Sequence, residues 1–325
     1  MGSAVLKLAE PLPEPAQPTL NIVFVCFNCG ADICAVIDDL AAGNYPFAET
    51  MVYIVDNAST DGSVARLQAL PYSNVRVIPS NRNLGFGAGC NLAVRHIIGA
   101  APILFLNPDV RLFADSIANL MDCAQRKPQR LIWGGVTCSA DGEPDGKSAW
   151  REPSLTGVLC WSLCLDPLLK AFGGQNPDAY PRRHLRGEAS VDAVSGCCLL
   201  VDYQLFARLQ GFDERFFLYS EEIDLCRRAR VLGARPLVSD RVRVIHIGSK
   251  TVSSINKVHF LYQSKLKYFR KHRSAAACMA ARLAITGGCA LRIAAFALLS
   301  LHKREYDTQR RLWWSFLKRQ LRESY

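Results

Sequence analysis

Met51-Val-Tyr-Ile-Val-Asp-Asn-Ala-Ser-Thr-Asp-Gly-Ser63 changes character at a single residue. Met51–Val55 is a short run rich in β-branched and aromatic residues, of strand length. Asp56 then opens a polar turn, and helical spacing follows over Asp61–Leu70. The same rhythm repeats on both sides. Ile22–Phe27 precedes the helical pattern Ala31–Ala42, Val75–Ile78 precedes Gly87–Ile98, and Pro102–Leu106 ends at Asn107-Pro-Asp109. Within Gly87–Ile98 the residues Cys90, Val94 and Ile97 share one helical face. Strands alternating with helices imply an α/β fold with a mostly parallel central sheet flanked by helices.

Further along, Val191–Val201 reads as a strand interrupted at Ser195-Gly196, Tyr203–Gln210 as a short helix stopped by Gly211, and Val242–Ile247 as a late strand. Residues 140–190 have weak periodicity, and Asp141-Gly-Glu-Pro-Asp-Gly146 is a loop. Residues 1–19 are Pro-rich and aperiodic, which reads as a disordered lead-in.

The chain of 325 residues is half hydrophobic, enough to bury a sizeable core. Its net charge of +10 is unevenly spread. From Arg241 onward eighteen Lys or Arg face three Asp or Glu, so residues 1–240 are net acidic. Such a basic segment suits nucleic acid or an anionic membrane surface; no nucleic-acid fold signature accompanies it, which argues against nucleic acid. Thirteen cysteines in a chain with no apolar stretch of signal-peptide length near its start point to reduced thiols and a cytoplasmic setting. Cys26-Phe-Asn-Cys29 has redox-motif spacing, but Cys26 falls inside the first strand pattern and no second paired unit completes a zinc ribbon.

Five polar clusters recur along the chain, most of them after strand-like runs. Asp56 is placed either to accept hydrogen bonds from a nucleotide base or ribose, or to close an Asx-turn before the next helix. Asn83-Leu-Gly-Phe-Gly-Ala-Gly-Cys-Asn91 is glycine-rich and opens a helix, but Cys90 stands where a dinucleotide fingerprint needs its third glycine. Its glycines permit either close approach to a diphosphate or tight helix–sheet packing. Asp109 offers a hard oxygen to Mg²⁺ or Mn²⁺. Glu221 and Glu222 follow Ser220 beside Phe216, Phe217 and Tyr219, an acidic and partly apolar setting suited to a general base. Asp224 and Arg228, four residues apart, read as a surface ion pair. His246 ends a strand before Gly248-Ser-Lys-Thr251.

As an ordered set these clusters resemble glycosyltransferase family 2, the inverting, nucleotide-sugar-dependent enzymes of GT-A fold, and within it the bacterial rhamnosyltransferase-like branch. The resemblance spans about residues 21–272. It implies a GT-A domain over 20–255 and a basic amphipathic helical region over 256–325. It further implies that Asp56 and Asn57, with Asn28, Asn83, Gly85, Gly87, Asn91 and Asn107, bind the dTDP- or UDP-sugar donor. Asp109 and His246 would hold Mg²⁺ or Mn²⁺. Glu222, or its neighbour Glu221, would be the catalytic base for attack by a saccharide or lipid-linked acceptor. Two positions depart from the family pattern: Asn107 replaces the first metal-motif acid, and a Glu-Glu pair replaces Glu-Asp. An inactive donor-binding scaffold is the reading those departures would favour, and galactofuranose or another hexose fits the same motifs as rhamnose.

Residues 274–301 are mostly apolar, with Arg282 and Arg292 interrupting the run. No uninterrupted apolar stretch reaches the ~18 residues expected of a spanning helix. With Arg310-Arg-Leu-Trp-Trp-Ser-Phe-Leu-Lys-Arg319 beyond it, the composition suits helices lying in the interface of the cytoplasmic membrane. A helical appendage packed on the core or on a second subunit is the competing reading.

Overall fold

The computed structural model describes residues 18–174, 176–248 and 254–322. Residues 1–17 of the expected lead-in, and Ser249-Lys-Thr251 after His246, lie outside the described residues.

The elements run β1 (Leu20–Cys26), α1 (Gly30–Ala42), β2 (Thr50–Asp56), α2 (Ser63–Gln68), β3 (Val75–Pro79), α3 (Phe86–Val94), β4 (Ile103–Leu106), β5 (Val110–Leu112) and α4 (Ser116–Arg126). They continue through β6 (Ile132–Cys138), β7 (Ala149–Trp150), α5 (Leu155–Ser162), α6 (Asp166–Ala171), β8 (Glu188–Ser190), β9 (Ala193–Val194), β10 (Cys198–Val201) and α7 (Tyr203–Arg208). The chain then forms α8 (Glu221–Val231), β11 (Leu237–His246), α9 (Ser254–His272), α10 (Ala275–Ser300) and α11 (Glu305–Arg322).

One mixed sheet has the order β3-β2-β1-β4-β10-β6-β11-β5, with β8 also pairing β11. Strands β3, β2, β1 and β4 are mutually parallel. β10 runs against both its neighbours, while β6 and β11 are parallel to each other. The carboxyl ends of β1, β2, β4, β6 and β11 therefore share one edge of the sheet.

Side-chain alternation divides the core. Val23 and Val25 of β1 join Tyr53, Val55 and Phe105 on the face covered by α3, α7 and α8. Ile22, Phe24 and Cys26 join Val52, Ile54 and Leu104 on the face covered by α1 and α4. β1, β2 and β4 are thus buried on both sides, which is why their sequences read as continuous apolar runs. Cys90 is fully buried, and Val94 and Ile97 are partly buried against the same core, although α3 ends at Val94, short of the Ile98 expected from the spacing.

A third core joins Val158 of α5 to Tyr262, Leu266 and Phe269 of α9, Ile285 and Cys289 of α10, and Phe316 of α11. Helix α10 runs unbroken through both arginines that punctuate its sequence. Arg292 stacks on Trp161, 4.1 Å from the ring centroid, and donates to the carbonyls of Trp161, Ser162 and Gly288. Helix α10 is long and apolar enough to cross a membrane by length and composition. Its 26 residues include a window of mean hydropathy 1.8, of which 17% is buried. The apolar run itself still carries Arg282 and Arg292, as its sequence shows.

Candidate active site

Each polar cluster lies at the shared carboxyl edge. Asp56 ends β2 opposite Cys26 of β1 and is 1% exposed. One carboxylate oxygen accepts from the Ser59 amide at 3.0 Å; the other is buried with no hydrogen-bond partner. The Asx-turn thus forms and still leaves one acceptor unused. Asn28, in the left-handed region at φ 55°, binds the same turn. Its amide donates to Ser59 Oγ at 2.9 Å, and its side-chain oxygen accepts from the Thr60 amide at 2.8 Å. Asn57 is equally buried; it donates to the Gly85 carbonyl at 2.9 Å, and its own oxygen lacks a partner. Buried unpaired acceptors are costly, and a ligand donor is one way to satisfy them.

The glycine-rich segment serves packing more than the sequence reading assumed. Gly85 has φ +83°, and a Cβ there would collide with the Phe217 carbonyl. Asn83 accepts from the Gly85 amide at 2.9 Å, and Phe86 donates to the Phe217 carbonyl at 2.9 Å. A Cβ on Gly87 would stand 3.0 Å from that of Phe212 and 3.6 Å from that of Glu221. Asn91 donates to the Phe212 carbonyl and accepts from its amide, both at 2.9 Å, and it also donates to Glu214. Gly85, Gly87 and Asn91 therefore clasp α3 to the loop that leads into α8.

That loop delivers the two glutamates. Tyr219 and Ser220 both adopt positive φ, 70° and 67°, and the helix begins at Glu221. Glu221 is 4% and Glu222 9% exposed. Burial pushes Glu222 up to about 7, and burial plus the charge of Glu222 pushes Glu221 well above its ordinary value. The Tyr219 hydroxyl is raised by burial and then by Glu221, Glu222 and Asp109, which puts all three acids within electrostatic reach of one ring.

Asn107 is held by Cys197, its amide donating to the Cys197 carbonyl at 3.3 Å and its side chain to the sulfur at 3.4 Å. Two residues on, Asp109 Oδ2 faces His246 Nε2 at 3.4 Å. The ring's other nitrogen faces Asp145 Oδ2 at 3.8 Å. Two ligands at right angles on an octahedral ion with ~2.1 Å bonds lie about 3 Å apart, so the Asp109–His246 spacing fits a shared divalent cation. Among the described residues no group of three or more His, Cys, Asp or Glu side chains gathers as a metal set. A cation bound here would draw its remaining ligands from diphosphate and water, as magnesium commonly does.

Sequence reasoning missed Asp145 and Cys197, because no local pattern signals that a loop or the residue before a strand will be folded against a distant histidine. It also misjudged Asp224. The pair with Arg228 forms at 2.7 Å, but Asp224 has no exposed side-chain surface. Lys271 and His272 of α9 close over it at 2.6 and 2.7 Å. Cys26 and Cys29 are free thiols whose sulfurs lie 3.6 Å apart.

Acidic and amide side chains thus lie along the carboxyl edge of a mixed sheet, with a buried pair of glutamates after them in the chain. The chain belongs to glycosyltransferase family 2, whose sequence model matches residues 21–206. Glu221, Glu222 and His246 lie beyond that match. The chain is 32% identical over 211 residues to N-acetylglucosaminyl-diphospho-decaprenol L-rhamnosyltransferase of Mycobacterium tuberculosis, covering 60% of this chain and 66% of that protein. It is 25% identical over 193 residues to rhamnosyltransferase WbbL of Escherichia coli, covering 58% and 65%. The chain thus spans just under two thirds of these relatives' length and is rhamnosyltransferase-like within the family. In fold it matches the mannosyltransferase PcManGT of Pyrobaculum calidifontis, solved with GDP-Man and Mn²⁺. There the TM-score is 0.57 at 16% identity, over 97% of this chain and 90% of that one. GalNAc-T7, solved with UDP, GalNAc and Mn²⁺, matches with TM-score 0.55 at 14% identity, over 79% and 48%.

Proposed function

We propose that this enzyme transfers a sugar, rhamnose from its dTDP donor being the best fit, to a saccharide or lipid-linked acceptor with inversion at the anomeric carbon. The reading is carried by the Asp109–His246 contact at 3.4 Å on the sheet edge where β2 also ends in Asp56, together with the buried Glu221–Glu222 pair. Asp56 and Asn57 hold the pyrimidine base through their unused buried acceptors. Glu222 takes the proton of the acceptor hydroxyl as that oxygen attacks opposite the leaving diphosphate. A base at about 7 is half deprotonated at neutral pH and still strong enough to accept that proton. Mg²⁺ or Mn²⁺ on Asp109 and His246 would supply charge neutralisation for the departing diphosphate. The choice of rhamnose follows the relatives' printed activity.

The catalytic unit is residues 20–255, and the basic helical region 256–325 attaches it to the inner face of the cytoplasmic membrane, near a lipid-linked acceptor. Met279, Leu283, Leu291, Leu298 and Leu301 form an exposed apolar array on and just beyond α10, and Trp314 is half exposed on the basic α11. Apolar surface bordered by cations is what an anionic membrane surface accommodates. The test is a thermal-shift screen of nucleotide sugars with Mg²⁺ or Mn²⁺, followed by transfer assays with the stabilising donor. Stabilisation by dTDP-rhamnose and transfer of rhamnose are expected. Stabilisation by another donor alone reassigns the sugar.

A further inference from the structure

We infer that Asp145 is a positioning residue for His246: its carboxylate fixes the imidazole through Nδ1, so that Nε2 is presented beside Asp109 as a nitrogen ligand. This rests on the reading of Asp109 and His246 as the cation site. Asp145 follows β6, whose parallel neighbour β11 carries His246, so the loop after one strand folds over the end of the next. Its side chain is 8% exposed and that of His246 is 16% exposed.

Two buried polar atoms meet across this contact. His246 Nδ1 and Asp145 Oδ2 each lack a hydrogen-bond partner, and they face each other at 3.8 Å. Lys147 Nζ is 3.7 Å from the same oxygen, but that side chain is 57% exposed and solvated. A shift of under ~1 Å brings the ring and carboxylate to hydrogen-bonding distance and satisfies both atoms. The other Asp145 oxygen is already anchored, accepting from Thr137 Oγ1 at 2.5 Å and from the Lys147 amide at 2.8 Å. Thr137 is itself buried on β6 and tied to Ser148. The carboxylate is therefore aimed before any ligand arrives.

An Nδ1–H donated to Asp145 leaves the lone pair on Nε2, the atom 3.4 Å from Asp109. A carboxylate behind a ligating histidine fixes its tautomer and ring orientation, and its loss typically weakens metal binding about 10- to 100-fold.

The test uses the full chain with UDP and Mn²⁺, read by electron paramagnetic resonance. Mn²⁺ affinity comes from the free-ion signal, and direct histidine coordination from the electron-spin-echo modulation of ¹⁴N. The wild type should show the nitrogen signal, and His246→Ala should lose it. Asp145→Asn should lower Mn²⁺ affinity about 10- to 100-fold and weaken the nitrogen signal, with metal-free UDP affinity unchanged; Asp145→Glu should restore part. Should Asp145→Asn fail to fold, Thr137→Val releases one anchor of the carboxylate and should give a smaller loss of the same kind. Wild-type affinity and an unaltered nitrogen signal in both variants would overturn the inference alone. A wild-type complex without the nitrogen signal would overturn it together with the cation-site reading beneath it.

Discussion

At Glu222, burial sets the proton. The carboxyl rises from 4.5 to about 7, so between those values the native protein holds a proton that the unfolded chain has released. Stability therefore falls as pH rises through that window, by at most about 3 kcal/mol. Glu222→Gln removes this cost. Its melting temperature relative to the wild type should climb from pH 5 to pH 8, while transfer falls at least ~100-fold. For the wild type, kcat/KM should rise with pH and level off above about 7. A flat profile, or a Glu222→Gln variant that still transfers, assigns the base elsewhere. Little of this was visible at the sequence level. The acidic pair beside aromatics was legible, but its burial was not: Gly87 of α3 lies against Glu221, a contact sequence periodicity does not show.

At the scale of elements, Asp224 shows what spacing does and does not reveal. Its four-residue interval to Arg228 announces an ion pair, yet nothing local says that α9, nearly fifty residues later, will seal it from solvent. Burial alone would raise the carboxyl, but Lys271, Arg228 and His272 overcome this and hold it below its ordinary value. Asp224 thus contributes stability above its unfolded value, and this is lost as pH falls through the depressed native one. Asp224→Asn leaves Lys271 and Arg228 facing a neutral group and should cost about 3 kcal/mol, measured by urea unfolding at pH 7. Unchanged stability would mean that Asp213, which also pairs Lys271 at 2.6 Å, carries the junction alone. The early strands were readable because β1, β2 and β4 are buried on both faces and carry uninterrupted apolar runs. The reversal of β10 was not, since an apolar run has no direction. β11 begins five residues before its expected start, across a register shift between Ser239 and Arg243 that breaks the alternation.

Across the whole molecule, charge and apolar surface are segregated. The positive excess lies after Arg241, where α10 leaves most of its apolar window outside the protein core. Flotation with vesicles containing anionic lipid should recover the full chain at low salt and lose it as salt rises, since screening shortens the reach of these cations. Absence of binding to anionic vesicles would make the helices a packing or subunit surface instead. The amphipathic composition was plain in the sequence. The inward turn of Arg292 onto Trp161 was hidden, because it is a tertiary contact.

In a single donor site, Asp56 and Asp109 bind the same nucleotide. Calorimetric titration of dTDP or UDP with Mn²⁺ tests this directly, using the wild type, Asp56→Ala, Asp109→Ala and Glu222→Gln. The account predicts at least ~10-fold weaker binding for the first two variants, each of which loses a buried polar or charged contact, and unchanged binding for Glu222→Gln. Equal affinity in all four proteins would contradict it.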